Sequence, residues 1–235
     1  MITSCYSVAS QKINGRLKAA FISDLHNCKK ASHTALDIIA DKKPDIILFS
    51  GDAVNRITGK YDVALDFLEK ASKIAPVFYS LGNHDLAEGT EGFREGAKKR
   101  GVILLDNEYT AFKGIFIGGL SFIKEAEHEN IKEKRESFLD EFSSLDGFKL
   151  LLSHVPRYYN EFLRQKDIDL IFSGHSHGGQ IGFGKRGVYS PDQGFFPKYV
   201  GGFYENRLIV TRGLGQTAHL PRFFNPYEVV FTDFN

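Results

Sequence analysis

Five short apolar runs in this chain each break off into a polar, glycine-rich corner, and that repetition narrows the folds open to it. Residues 17–23 (LKAAFIS) run into Asp24. Residues 45–50 (DIILFS) run into Gly51-Asp52. Residues 76–81 (PVFYSL) run into Gly82-Asn83-His84-Asp85. Residues 149–153 (KLLLS) run into His154, and residues 170–173 (LIFS) into Gly174-His175. Each run is apolar and partly β-branched or aromatic, which is how a strand covered on both faces reads. Helical patterns lie between the first of them. Residues 32–42 carry Leu36, Ile38, Ile39 and Ala40, and residues 61–73 carry Val63, Ala64, Leu65, Phe67, Leu68 and Ala71. Residues 91–100 are a weaker case, with Gly96 inside. Strand–helix alternation implies parallel pairing through helical crossovers.

The later chain changes character. Residues 102–105, 109–112, 115–120, 208–211 and 227–231 read as short strands joined by tight turns, as in a mixed or antiparallel sheet. Two packed sheets with helices outside accommodate both halves. The 235 residues suffice for one large core, so residues 1–235 are expected to form a single domain. The charged stretch 124–135 reads as a solvated helix face. A formal net charge of +1 gives no broad footprint for nucleic acid, which is therefore not an expected partner. Cys5 and Cys28 make no disulfide framework and fit a reducing compartment. No run reaches the ~18 apolar residues of a membrane helix, and the first twenty residues lack signal-peptide character. A cytoplasmic location is expected, with association to a membrane surface left open. An anchor preceding residue 1 would leave the same sequence.

Ligands of parallel sheets bind at the carboxyl ends of the strands. Here those ends carry Asp-x-His, Gly-Asp, Gly-Asn-His-Asp, Ser-His and Gly-His-x-His. Read alone, Asp24-Leu25-His26 is a turn residue beside a surface histidine. Gly51-Asp52 alone is a plain strand-end turn, and His154 alone is a hydrogen-bonded histidine. His175-Ser176-His177 is stronger, because two imidazoles two residues apart can aim at one centre. Gly82-Asn83-His84-Asp85 is stronger still. The conjunction decides, since five strand ends in one order all carry metal-ligand chemistry.

That series resembles the calcineurin-like metallophosphoesterase superfamily over residues 17–180. The resemblance implies an α/β fold, a four-layer α/β/β/α sandwich of two mixed sheets flanked by helices. It also implies a ligand set. Asp24, His26, Asp52 and His177 would hold one metal, and Asp52, Asn83, His154 and His175 the other, with Asp52 bridging. A carboxylate has two oxygens and can bridge two cations, which an amide or imidazole does poorly. Metals ~3.5–4 Å apart can clamp a phosphoryl group and share a hydroxide for in-line attack. A mixed N/O ligand set suits Mn, Fe, Zn, Co or Ni, with manganese favoured as cofactor. The resemblance places His84 beside the metals as a proton donor or phosphoryl stabiliser, with Asp85 fixing its tautomer. Asn55 stands where many relatives carry Asp or Asn. Cys28 lies near the expected site and reads as a bystander.

After Gly-His-Ser-His come Gly178, Gly179 and Gln180, and later Gly213-Leu214-Gly215 and Pro221-Arg222-Phe223-Phe224-Asn225-Pro226. The combination is similar to the YkuE-like branch, which includes enzymes cleaving UDP-2,3-diacylglucosamine at its pyrophosphate. Gly178 and Gly179 would let backbone amides approach phosphate. Arg222 would pair with a second phosphate or form a surface salt bridge. The aromatic segment 195–204 (FFPKYVGGFY) reads as core packing or as a contact for an acyl chain or membrane. The expected function is hydrolysis of a phosphoester or pyrophosphate, of a small molecule or a nucleotide-linked lipid. The alternatives are a nuclease of the same superfamily and a metal-free scaffold. A nuclease would want a basic groove, and a scaffold would be expected to have lost ligands or His84.

Overall fold

The computed structural model describes residues 1–55, 60–87, 89–123, 128–183, 186–190, 192–216 and 222–235. One six-stranded sheet runs, edge to edge, β1 (Ile2–Val8), Glu228–Phe234, β2 (Leu17–Ile22), β3 (Ile46–Phe49), β4 (Val77–Ser80) and β5 (Ile103–Leu105). Strands β2 to β5 are parallel. The strand Glu228–Phe234 lies antiparallel to β2 and parallel to β1. The second six-stranded sheet runs β6 (Glu108–Phe112), β7 (Ile115–Leu120), β8 (Phe148–Ser153), β9 (Leu170–Ser173), Leu208–Val210 and Gly202–Tyr204. Strands β7, β8, β9 and Leu208–Val210 are parallel, and the two edge strands run against them.

Strand side chains alternate between two faces, and the chain uses both. Along β2, Ala20 and Ile22 face helices α1 (Lys29–Lys42) and α2 (Asp62–Ile74), packing with Ala35, Ile39, Ala64, Phe67 and Leu68. Helix α3 (Glu91–Lys99) adds Phe93 and Ala97 to this layer. Ala19 and Phe21 point the other way, into a core shared with Ile117, Leu150 and Phe172 of the second sheet. The Phe21 and Phe172 rings meet at 4.5 Å between the sheets. Leu151 and Ile171 face outward again, onto Phe138, Leu139 and Phe142 of α4 (Glu129–Ser144). Three cores between four layers make the expected α/β/β/α sandwich.

The five apolar runs are strands at the expected places, and the three helical patterns are helices. Strand β1 went unread. Its sequence ITSCYSV lacks an apolar run, and it lies at the sheet edge with Cys5 exposed. The charged stretch is described from residue 128, where it opens α4. That helix is solvated at its start and anchored by its later phenylalanines. Residues 124–127 lie outside the described residues. Among the described residues no helix is long and apolar enough to cross a membrane.

Candidate metal centre

Every expected ligand follows the carboxyl end of a strand: Asp24 and His26 follow β2, Asp52 follows β3, Asn83 follows β4, His154 follows β8, and His175 and His177 follow β9. The first four come from one sheet and the last three from the other, so the centre lies across the seam between the sheets. Asp24, His26 and His177 bring donor atoms within 4.8 Å of one another. Asp52, His154 and His175 do the same, as do His26, Asp52 and His84. His154 Nε2 lies 3.1 Å from Asp52 Oδ2, and His26 Nε2 lies 3.9 Å from that same oxygen. Asp52 thus faces both expected ligand groups. Cys28 belongs to none of these groups; it precedes α1 and packs against the helical core.

The local backbone aims these side chains inward. Asp24, His26, Asp52, His175 and His177 all adopt positive φ, between 47° and 61°. Non-glycine residues rarely enter that region, and each such position costs roughly 1–3 kcal/mol. Close approach is required too. A Cβ on Gly82 would overlap the Asp52 carboxylate, and one on Gly174 would overlap Asp24 and Ser23. These glycines are fixed by space at the two carboxylates.

The charges are mutually dependent. Burial pushes Asp24 up, yet His177, His26 and His154 hold it well below the usual carboxylate range. Burial opposes ionisation of Asp52 too, and His154 and His26 overcome it. Burial pulls His154 down, but Asp52 and Asp24 outweigh it and raise the imidazole to about 10. Burial lowers His177 to about 3. Among the expected ligands, His26 Nε2 and Asn83 Oδ1 are buried without a hydrogen bond. His26 donates from Nδ1 to the Val54 carbonyl at 3.2 Å, which leaves its Nε2 an acceptor. A buried acceptor left unpaired costs about 1–3 kcal/mol, and a cation satisfies it. The donor set therefore fits metal.

His84 is 7% exposed, with Nε2 4.0 Å from Asp52 Oδ2. Its amide also donates to Asp52 Oδ1 at 2.8 Å. Asp85 departs from expectation. Its Oδ2 accepts from the amides of Asp52 at 2.7 Å and Gly82 at 2.9 Å, and from the Tyr79 hydroxyl at 2.8 Å. Its Oδ1 bonds to nothing. The carboxylate therefore ties two ligand loops together instead of orienting the His84 imidazole. Burial and the nearby Asp52 charge raise it to about 6. Asp85→Ala would leave two amides and a hydroxyl unpaired, each costing about 1–3 kcal/mol. Denaturant unfolding should show a loss of several kcal/mol, and a loss below ~1 kcal/mol would refute this tying role. Sequence reading missed Tyr79, whose aromatic ring passed for plain core.

The remaining expected substrate groups also sit differently. Gly178, at φ 63°, lies against Asn225, whose Nδ2 donates to the carbonyls of His177 and Gln180. Gly179 lies against the backbone of Gly187, and its amide donates to Ser176. Gln180 is 2% exposed. The three residues build the inner turn behind His177 and face protein. Among the described residues Arg222 makes no salt bridge, and its two terminal nitrogens face protein acceptors. Its Nη1 donates to the Arg212 carbonyl at 2.7 Å, and its Nη2 to Gly215 and to His177 Nδ1. Pro221 lies outside the described residues. The aromatic segment divides: Tyr199 and Val200 are buried, whereas Phe195 and Phe196 are 74% and 81% exposed. Phe223 and Phe224 are exposed as well.

A calcineurin-like phosphoesterase profile matches residues 17–179. Phosphodiesterase YaeI of Escherichia coli K12 is 29% identical over 226 residues, covering 84% of this chain and 75% of that protein. Metallophosphoesterase YkuE of Bacillus subtilis is 28% identical over 211 residues, covering 85% and 71%. A metallophosphoesterase of Helicobacter pylori 26695 is 24% identical over 234 residues, which take in 94% of this chain but 60% of its own length. The crystal structure of TT1561 of Thermus thermophilus superposes with a TM-score of 0.59 at 16% identity, covering 85% of this chain and 91% of its own. At that identity the likeness speaks to the fold alone.

Proposed function

The chain belongs to the calcineurin-like phosphoesterase family, and from that premise we propose that it hydrolyses a phosphodiester or pyrophosphate bond at a dinuclear metal centre. The carrying observation is the pair of donor groups that both face Asp52, with His26 Nε2 and Asn83 Oδ1 buried and unpaired beside them. Asp24, His26, Asp52 and His177 would hold one cation, and Asp52, Asn83, His154 and His175 the other, with manganese favoured. Such a pair supplies Lewis-acid polarisation of the phosphoryl oxygens and an activated water. The chain's own residues do the rest. Asp85 holds the β3 and β4 loops in register. His84 keeps or delivers a proton at Nε2, toward the leaving oxygen.

A diester or pyrophosphate preference draws support from the name of YaeI. Four exposed rings, Phe195, Phe196, Phe223 and Phe224, support an apolar substituent on the substrate. They sit on connected backbone: Phe196 donates to Val188, Val188 to Ile181, and Ile181 pairs with Phe223. This chain leads directly out of the turn that carries His177. A nucleotide-linked lipid fits both features.

The test is a panel of p-nitrophenyl phosphate, bis-p-nitrophenyl phosphate and a nucleotide-diphosphate lipid, assayed with Mn²⁺ and again after chelation. Hydrolysis of the diester and the lipid should exceed that of the monoester and vanish with chelator. Joint replacement of Phe195 and Phe196 by Ser should weaken turnover of the lipid alone. Metal-independent activity, or none on any substrate, would refute the proposal; an unchanged lipid rate in the double variant would remove the lipid assignment.

A further inference from the structure

The most exposed apolar side chains of the protein are four phenylalanines on neighbouring backbone. Phe195, Phe196, Phe223 and Phe224 are 54–86% exposed, and no other large apolar side chain among the described residues exceeds 45%. Phe196 donates to Val188, Val188 to Ile181, and Ile181 bridges to Phe223. Three such steps of ~4.8 Å keep the two pairs within roughly 15 Å of each other. The Tyr189 ring, also exposed, meets Phe195 at 5.5 Å. Phe196 and Phe224 sit at φ 55° and 51°, a region where a bulky side chain is strained. Neither ring gains core packing in return. Exposed rings grouped in this way mark a contact with a partner or a membrane.

The charge around them selects between the two. Residues 181–204 hold Lys185, Arg186 and Lys198 against Asp192 alone, whereas the whole chain nearly balances at +1. Arg186 and Lys198 are exposed. Asp192 is half-buried and accepts from the Ser190 hydroxyl. The nearest acid to Lys198, Glu205 at 3.8 Å, is shared with Arg164 at 3.0 Å, so it does not cancel both cations. Rings flanked by cations complement an anionic lipid surface. A second copy on the same face would set cation against cation, since a two-fold contact repeats the patch.

We propose that this face seats the protein on an anionic bilayer, with the four rings entering the interface and Arg186 and Lys198 meeting lipid phosphates. The docking needs neither metal nor turnover; only its use in catalysis rests on the lipid-substrate reading above. The Phe223 amide donates to Gln180, three residues past His177, so a docked protein would hold its metal centre close to the headgroups.

The chain has no tryptophan, so Phe224→Trp reports from the patch alone. With metal-stripped protein and phosphatidylcholine–phosphatidylglycerol vesicles, its emission should shift to the blue and be quenched by brominated acyl chains. Binding to phosphatidylcholine alone should be weaker by about tenfold or more, and added salt should weaken binding to the mixed vesicles. Arg186→Gln and Lys198→Gln should each cost about fivefold in partitioning. Joint replacement of Phe195 and Phe196 by Ser should cost more than about tenfold, the scale of burying one such ring. All four positions are exposed, so the thermal unfolding midpoint should hold in these variants. No quenching on anionic vesicles, or partitioning unchanged by these substitutions, would overturn the docking. A blue shift without vesicles, with a dimer seen by light scattering, would overturn it in favour of a second copy. If the double Ser variant lost lipid turnover yet kept full vesicle binding, the docking would fall and the lipid substrate would stand. Docking without hydrolysis of any lipid would uphold the docking and remove the lipid substrate.

Discussion

Asp52→Asn is expected to lower diester hydrolysis by more than about 10³-fold, beyond the ~10²–10³ cost of one lost transition-state donor. Asn keeps an oxygen to accept the His84 amide, and it fits the space walled by Gly82. The fold should therefore survive. What is lost is the negative oxygen that faces His154 at 3.1 Å, His26 at 3.9 Å and His84 at 4.0 Å. An amide nitrogen there presents N–H to atoms that should receive a cation, so both positions suffer together. Metal analysis alongside the rate of bis-p-nitrophenyl phosphate cleavage checks this. Two metals per chain with near-normal turnover would show that Asp52 does not join the positions.

His84→Ala is the second large effect, a loss of about 10²–10⁴ in rate, the range for a lost general acid or base. Its signature should separate it from Asp52. The His84 amide holds Asp52 Oδ1 through the backbone, which the substitution leaves intact. Metal content should stay at the wild-type value. The loss should also depend on the leaving group, being small for p-nitrophenolate, which departs without protonation, and large for an alkoxide or sugar phosphate. His84 shares a donor group with His26 and Asp52, so ligation is the competing role. A variant that loses metal in step with rate would assign His84 as a ligand.

The fold was legible where burial is two-sided. Runs such as DIILFS and KLLLS are apolar because helices cover one face and the partner sheet the other, and no polar alternation breaks them. The meeting of the candidate ligands was legible for a related reason: the strands end together, so residues as distant as Asp24 and His177 come within reach of one another. Burial by neighbours of unlike character was not legible. Asp85 follows His84 in sequence, yet its carboxylate turns to the amides of Asp52 and Gly82, a contact that depends on how two loops stack. Arg222 looked like a phosphate arm because an arginine in a loop commonly faces water. Here three acceptors close around it, among them the carbonyls of Arg212 and Gly215. Gly178 and Gly179 were read as a phosphate cradle, and a second reason for glycine there was not legible: their α-carbons lie against Asn225 and Gly187, where a Cβ would not fit.

The strand Glu228–Phe234 stands between β1 and β2. In the folded sheet β1 and β2 do not pair with each other, and the strand that joins them comes from far later in the sequence. Through most of translation β1 has no neighbour, and β2 presents an open flank. The nascent N-terminal half therefore carries a gap that only late-made sequence closes, the kind of unpaired edge on which chaperones act. The candidate ligands are spread in the same way, since His154, His175 and His177 follow Asp24 at a long distance in sequence. A chain stopped before residue 154 would lack both the joining strand and the three later ligand candidates, His154, His175 and His177.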